Sequence, residues 1–159
     1  MSGIYVHIPF CRTACHYCDF HFSTKLQRTG DFVDALLKEV KLRVDSGVYS
    51  GRDFQTLYFG GGTPSVLPSS DLKKITGAIS EAFFNKKESL LKEVTIEVNP
   101  EDVNEESLKG WLEAGFDRLS IGVQSFEDSQ LVWMNRKHSG KEAINAVELA
   151  HKMGFKKIS

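Results

Sequence analysis

The residues best suited to chemistry are three cysteines on one short stretch. Cys11, Cys15 and Cys18 are the only cysteines of the 159-residue chain. They follow an apolar run, Ile4 to Phe10, that is typical of a β-strand. An odd number of thiols cannot all pair as disulfides, whereas three thiolates on one loop can share a metal centre. A [4Fe-4S] cube usually takes four thiolates, so three would leave one iron free to hold a substrate or cofactor.

Zinc is the main alternative for these cysteines. A Cys3His site could form from the three cysteines, of which Cys15 and Cys18 have the spacing C-x2-C, together with one of His7, His16 or His21. A zinc ribbon normally supplies a second pair of cysteines, and the sequence contains none. The spacing by itself leaves both metal centres open.

Two further candidate groups follow the next predicted strands. Gly60-Gly61-Gly62-Thr63-Pro64 lacks the Gly-Lys-Ser/Thr of a Walker loop, but consecutive glycines permit close approach of the backbone to a ligand. Glu97 lies near the carboxyl end of the third strand, where parallel α/β barrels place their chemistry. The plain alternatives are a tight turn before a helix and a surface carboxylate.

Gln124 ends the fourth predicted strand, and Arg136 follows later in the chain. An amide can both donate to and accept from ribose hydroxyls, and a guanidinium can grip a carboxylate with two hydrogen bonds. A solvated charge beside Lys137 is the default alternative for a lone arginine. His7 is predicted to point inward as well. A purely structural role is as good an interpretation of His7 as a functional one.

Strand-like and helix-like segments alternate along the chain with short connections, which predicts a parallel sheet with right-handed crossovers. Four full βα units and the start of a fifth are too few for a closed eight-stranded barrel. A chain that ends inside a strand also leaves an unpaired sheet edge. We therefore expect residues 1–159 to be the N-terminal part of a longer core domain. The predicted strands cover 3–9, 55–59, 93–98, 118–123 and the start of a strand at 155–159.

The predicted helices carry recognisable start signals. Asp31, Ser69 or Ser70, and Asn104 are candidate N-caps, and Ser139 or Gly140 starts a later helix. The predicted helices run from 31 to about 45, from 69 or 70 to about 84, from 104 to about 114, from 127 to 134 and from 139 or 140 to near 154.

Apolar residues alternate with polar ones along all four complete strands. The apolar set can face the helices, which leaves residues such as Tyr5, Glu97, Asn99 and Gln124 on the concave side. A concave face this polar is costly to bury dry. Two structures fit the pattern: an open barrel that holds a polar ligand, and an antiparallel sheet with one solvated face. The helix between each pair of strands favours the open barrel.

The overall composition excludes several function classes. Hydrophobic residues make up 41% and charged residues 26%, which is ordinary for a soluble globular protein. A net charge of −1 gives no electrostatic case for nucleic acid or an anionic membrane. No apolar run reaches the ~20 residues of a membrane helix, and the start of the chain lacks a secretory signal. Clustered, odd-numbered cysteines then favour a reducing, cytoplasmic compartment.

The motifs together resemble one family. C-x3-C-x2-C with Tyr17 before the last cysteine resembles the cluster loop of the radical S-adenosylmethionine (SAM) superfamily. The run Tyr5-Val-His-Ile-Pro-Phe-Cys11 is similar to the branch that contains oxygen-independent coproporphyrinogen III oxidase and a related heme chaperone. The resemblance implies the first part of a partial (β/α)6 barrel followed by a C-terminal domain.

The resemblance also implies cofactors and the residues that hold them. A [4Fe-4S] cluster would bind Cys11, Cys15 and Cys18, with Tyr17 shielding it, and the free iron would bind SAM. An electron passed through the cluster would cleave SAM to methionine and a 5′-deoxyadenosyl radical. The implied SAM contacts are Tyr5, Gly61, Gly62, Thr63, Glu97, Gln124 and Arg136.

Within that branch, the oxidase has a further cysteine two positions after the last cluster ligand. This chain has Asp19-Phe20 there, which is similar to the heme-chaperone branch. We therefore expect a protein that binds and transfers heme; the alternatives are oxidative decarboxylation of coproporphyrinogen III and a zinc module without chemistry. The expected partners are SAM, heme or a porphyrinogen, a flavodoxin-like or ferredoxin-like electron donor, and membrane-bound heme acceptors.

Overall fold

A computed structural model of the chain describes residues 2–50, 53–84 and 91–159. Its strands form one sheet in the order β1-β2-β3-β4-β5, and every neighbouring pair is parallel. The elements are β1 (Ser2–Ile8), α1 (Thr29–Asp45), β2 (Phe54–Gly61), α2 (Ser69–Phe83), β3 (Glu93–Val98), α3 (Glu105–Glu113), β4 (Arg118–Ile121), α4 (Asp128–Trp133), α5 (Gly140–Lys152) and β5 (Lys157–Ile158).

The core lies between the sheet and the helices. Apolar residues of β1 to β4 are fully buried in one hydrophobic cluster with residues of the helices, among them Ile8, Phe59, Ile96 and Leu119. Helix α2 contacts both α1 and α3, so these three helices cover one face of the sheet. The predicted alternation is confirmed in this respect, because the apolar set faces the helices and leaves a polar set on the concave side.

Thr95 departs from the predicted alternation. The pattern places it on the open concave side, yet only 1% of the residue is exposed. Its hydroxyl donates to Oε1 of Glu93 at 3.1 Å, which satisfies the buried polar group. Its register partners on the neighbouring strands are Tyr58 and Arg118, both much larger side chains.

Two predicted helix caps are wrong. Helix α1 begins at Thr29 directly after a 3-10 turn, Leu26–Arg28, so Asp31 lies inside the first turn instead of capping it. Helix α2 begins at Ser69 after Pro68, and no side chain caps it. Helix α1 continues directly from a turn that already directs the chain, so it begins without a capping side chain.

The later caps are confirmed. The side chain of Asn104 accepts from the backbone N–H of Ser107 at 2.9 Å and starts α3. Ser139 and Glu142 form a reciprocal capping box at the start of α5. Gly115, with φ of +92°, ends α3 in the left-handed region that glycine adopts without strain.

Strand β4 is shorter than predicted, because the chain turns early. The strand ends at Ile121, and Gln124, which the alternation places at the strand end, has φ of +64°. This turn carries the chain across the end of the sheet.

Within the described ranges, no helix combines the length and apolar character that crossing a bilayer requires.

The buried face of α2 gives a test of this packing. Leu72 is 0% exposed, whereas Leu42 on α1 is 68% exposed. Leu72→Ala should lower the free energy of unfolding by about 2–5 kcal/mol, because it removes buried methyl groups and leaves a cavity. Leu42→Ala, the matched control, should change it by no more than about 0.5 kcal/mol. Urea denaturation of both variants measures the difference, and equal shifts would contradict the assigned core.

Candidate functional site

The carboxyl ends of β1 to β4 open onto one pocket of about 270 Å³. It is lined by the cysteine loop, which we define as residues 11–18, and by the segments that follow β2, β3 and β4. The structure therefore brings together residues that are far apart in the sequence. The predicted site residues that line it are Cys11, Cys15, Tyr17, Cys18, Gly61, Gly62, Thr63, Glu97, Gln124 and Arg136.

Tyr5 is the one predicted site residue that does not line the pocket. Its ring stacks on Tyr58 with 6.0 Å between centroids, and its hydroxyl lies 3.1 Å from Nδ1 of His7. Tyr58 in turn donates to Oε1 of Glu97 at 2.6 Å, and burial together with that carboxylate raises the pKa of Tyr58. Tyr5 thus contacts Tyr58, which in turn holds the pocket residue Glu97. A direct contact between Tyr5 and a ligand stays a prediction.

One side of the cysteine loop is anchored near the end of β3. Arg12 donates from Nε to Oδ1 of Asp102 at 3.0 Å, and Ser65 donates to Oδ2 of the same carboxylate at 2.6 Å. Asp102 is only 8% exposed, whereas the Arg12 side chain is 52% exposed, so the ion pair is shielded from solvent on one side only. The backbone N–H of Cys11 also donates to the carbonyl of Ser23 at 3.1 Å.

The other side of the cysteine loop is anchored to the segment after α4. The backbone N–H of His16 donates to the carbonyl of Met134 at 3.2 Å, and its Nδ1 lies 2.8 Å from the carbonyl of Trp133. Asn135 donates from Nδ2 to the carbonyl of Ala14 at 2.8 Å. Because a carbonyl only accepts, Nδ1 of His16 carries a proton and is not free to ligate a metal.

The three thiols share one partly buried setting, but in this structure they are not gathered around a common point. All three are partly buried and border the same pocket. Burial raises the pKa of the Cys11 thiol, while the hydrogen bond from Thr63 and the charge of Arg136 act to lower it. Among the described residues, no three His, Cys, Asp or Glu side chains are arranged around a single metal ion.

Arg136 is already heavily engaged. Nη1 donates to Sγ of Cys15 at 3.5 Å, and Nη2 donates to Oδ1 of Asn99 at 2.7 Å and to the carbonyl of Gly122 at 2.8 Å. Its Nε is buried and has no hydrogen-bond partner in the described part of the chain. Both protons of Nη2 are used, so a two-pronged grip on a ligand carboxylate requires one of these bonds to break.

Asn99 is a site residue that the sequence analysis placed on the concave side but did not assign to the site. Besides accepting from Arg136, its Nδ2 donates to Oγ1 of Thr63 at 3.1 Å. Asn99 precedes Pro100, and an Asn-Pro pair is typical of a turn. Its position two residues after Glu97, on the same face of the strand, is the signal that could have identified it.

The glycines after β2 are required by the chain itself. A side chain on Gly62 would collide with the carbonyl oxygens of Ile8 and Phe10, to which the backbone of Gly62 and Thr63 donates at 2.9 and 2.8 Å. Gly61 has φ of +113°, and its N–H donates to Oε2 of Glu97 at 3.2 Å. These glycines hold the end of β2 against the start of the cysteine loop.

Two residues without glycine's freedom adopt left-handed backbone conformations at this site. Gln124 has φ of +64° and Asn135 has φ of +60°. Asparagine tolerates this region, whereas glutamine does so at a cost in backbone strain. Such strain persists where the surrounding contacts require it, and both residues border the pocket.

A buried histidine was missed by the sequence analysis. His138 is 4% exposed; its Nε2 donates to the carbonyl of Val123 at 3.0 Å, and its Nδ1 lies 3.2 Å from Oε2 of Glu101. Burial acts to raise the pKa of Glu101, but the bond with His138 and the nearby charge of Arg136 outweigh it and hold the pKa below its ordinary value. The pair ties the segment after β4 to the turn after β3.

Comparison with known proteins decides the family. A sequence model of the Radical SAM superfamily matches residues 5–159. The chain belongs to the radical SAM superfamily. Membership in this superfamily implies a [4Fe-4S] cluster and SAM, and the pocket holds the three cysteines that carry the resemblance.

Individual radical SAM relatives match almost the whole chain. The heme chaperone HemW of Bacillus subtilis is 39% identical over 161 residues, which cover 100% of this chain and 41% of the relative. Anaerobilin synthase of Escherichia coli O157:H7 is 34% identical over 146 residues, covering 91% of this chain and 32% of the relative. The structure of coproporphyrinogen III oxidase (HemN) from Escherichia coli superposes with a TM-score of 0.84 and 28% identity, covering 98% of this chain and 35% of that one.

These matches confirm the predicted fold class. The open sheet of five parallel strands corresponds to part of a radical SAM barrel. The chain spans between 32% and 41% of the length of these three relatives.

The Glu101–His138 pair predicts a specific pH dependence. Because folding lowers the pKa of Glu101, the unfolded chain binds this proton more readily, and the stabilisation is lost as the pH falls through the folded-state pKa. Glu101→Gln should therefore be less stable at neutral pH and lose less stability on acidification. Urea unfolding over a pH series measures this. The control is Glu148→Gln at an exposed position of α5, and parallel curves for wild type and Glu101→Gln would contradict the pairing.

Proposed function

We propose that this chain forms the cluster-binding and SAM-binding part of a radical SAM protein that binds and transfers heme. The observation that carries the proposal is the convergence of three thiols with the polar ends of β2, β3 and β4 on one pocket. The relative that is 39% identical to this chain is named a heme chaperone, HemW, and this supports the proposal of heme transfer. We also propose a cytoplasmic location, because three clustered cysteines that cannot all pair suit a reducing compartment.

Cys11, Cys15 and Cys18 are the proposed cluster ligands. A cluster held by these cysteines would supply the electron for reductive cleavage of SAM. Three thiolates leave one iron open, because such a cube usually takes four. Tyr17 borders the same pocket but is 44% exposed, so it shields the site only partly.

The proposed SAM contacts divide by chemistry. The carbonyl oxygens of residues 60–62 and the Thr63 hydroxyl can accept hydrogen bonds from an ammonium group. The Gln124 amide suits ribose hydroxyls, because it both donates and accepts. The Glu97 carboxylate is oriented before any ligand binds, because Tyr58 and the N–H of Gly61 hold its two oxygens. Arg136 offers a carboxylate a single hydrogen bond in this conformation, since its Nη2 is fully engaged.

Oxidative decarboxylation of coproporphyrinogen III is the second candidate. The fold similarity to HemN at a TM-score of 0.84 favours it. Against it stands the residue pair Asp19-Phe20, because the oxidase branch carries a further cysteine there. For either function we propose a flavodoxin-like or ferredoxin-like electron donor, and for heme transfer we also propose contact with membrane-bound acceptors.

Loss of one thiol tests the cluster assignment. After anaerobic reconstitution with iron and sulfide, the wild type should be brown, with broad absorption near ~400 nm and four irons per chain, as expected for a cysteine-bound cluster. Cys15→Ser should lose the cluster, whereas Ala14→Ser, an exposed neighbour on the same loop, should retain it. Four irons in Cys15→Ser would sink the ligand assignment, and a colourless wild type that retains zinc would establish the zinc alternative.

Heme binding and porphyrinogen turnover separate the two candidate functions. We expect titration of the full-length protein with hemin to give saturable binding with a shifted Soret band. The reconstituted protein with SAM and a reductant should form no decarboxylated product from coproporphyrinogen III. Turnover without heme binding would reverse the order of the two candidates.

A further inference from the structure

One unbroken series of hydrogen bonds joins two of the cysteine sulfurs across the pocket. From Cys15 it runs through Arg136, Asn99 and Thr63 to Cys11, with donor–acceptor distances of 3.5, 2.7, 3.1 and 3.9 Å. Asn99 is the central member. It directly follows β3, whereas the two cysteines lie on the cysteine loop. The series therefore connects the end of the sheet to the sulfur atoms.

The orientation of the Asn99 amide follows from its neighbours. A guanidinium has donors only, so Nη2 of Arg136 must face the amide oxygen. The amide nitrogen is then directed at Oγ1 of Thr63 and donates to it. No other orientation satisfies both contacts, and this removes the usual ambiguity between oxygen and nitrogen of an asparagine side chain.

The orientation of Asn99 decides where the Thr63 proton goes. A hydroxyl has one proton to donate, and its oxygen accepts from Asn99 in this arrangement. The proton is therefore free to point toward Sγ of Cys11. If residue 99 were only an acceptor, the hydroxyl would donate to it instead, and Cys11 would lose its donor.

We propose that Asn99 is a positioning residue that directs donors from Thr63 and Arg136 onto the Cys11 and Cys15 sulfurs and so raises the reduction potential of the bound cluster. Hydrogen bonds to the sulfurs are among the factors that set such potentials. Donors stabilise the added negative charge of the reduced state, which moves the potential upward. The inference rests on the proposed cluster site but not on heme transfer.

Asn99→Asp is the test substitution, because it preserves the shape of the side chain and replaces the donor with a second acceptor. It adds a negative charge, which lowers the potential by itself, and it turns the Thr63 proton away from Cys11, which lowers it further. Thr63→Val removes the proton and isolates the charge effect. A four-variant cycle therefore separates the two contributions.

The measurement is the midpoint potential of the reconstituted cluster, followed by electron paramagnetic resonance without SAM. We expect Asn99→Asp to shift the potential downward by more in the Thr63 background than in the Thr63→Val background. Thr63→Ser, which keeps the hydroxyl, should restore the larger shift. Asn145→Asp, an exposed position on α5, should leave the potential unchanged. If Thr63→Val fails to fold, Thr63→Ala takes its place in the cycle.

Equal shifts in both backgrounds would overturn the inference, because they would mean that Asn99→Asp acts through its charge alone. Failure of the wild type to take up four irons would instead refute the proposed cluster site. Iron content is measured on every variant before the potential, so the two failures are distinguishable.

Discussion

The anchoring of the cysteine loop is the constraint on which the rest of the structure depends. Three thiols on a loop would be spread over many conformations without fixed partners. Here Arg12 binds Asp102 beyond β3, while His16 and the carbonyl of Ala14 bind the segment after α4. The carboxyl ends of the parallel strands meet at one edge, so these anchors hold the sulfurs beside the polar residues at the ends of β2, β3 and β4.

The same edge explains why the backbone departs from regular geometry there. Gly62 packs too closely against β1 for any side chain, and Gln124 takes a left-handed conformation that shortens β4. Both residues border the pocket. Glu97 is held by two hydrogen bonds before a ligand arrives, which lowers the reorganisation that binding requires.

Much of this could be predicted from sequence, because strand order and alternation place residues at one edge. That logic brought Glu97 and Gln124 into the pocket with the cysteines. It placed Asn99 on the concave side without assigning it to the site, and it missed His138, whose partner Glu101 lies 37 residues away along the chain. Asp31 failed as a cap for a related reason, since the preceding 3-10 turn already directs the chain into α1.

The central claim is that three protein thiolates hold a cluster whose fourth iron is open to SAM. Mössbauer spectroscopy of the reconstituted, iron-57-labelled protein, with and without SAM, tests it most directly. The account predicts that one iron of the four differs from the others and that SAM alters the spectrum of this iron alone. Four equivalent irons that do not respond to SAM, or a fourth ligand supplied by the protein, would contradict it.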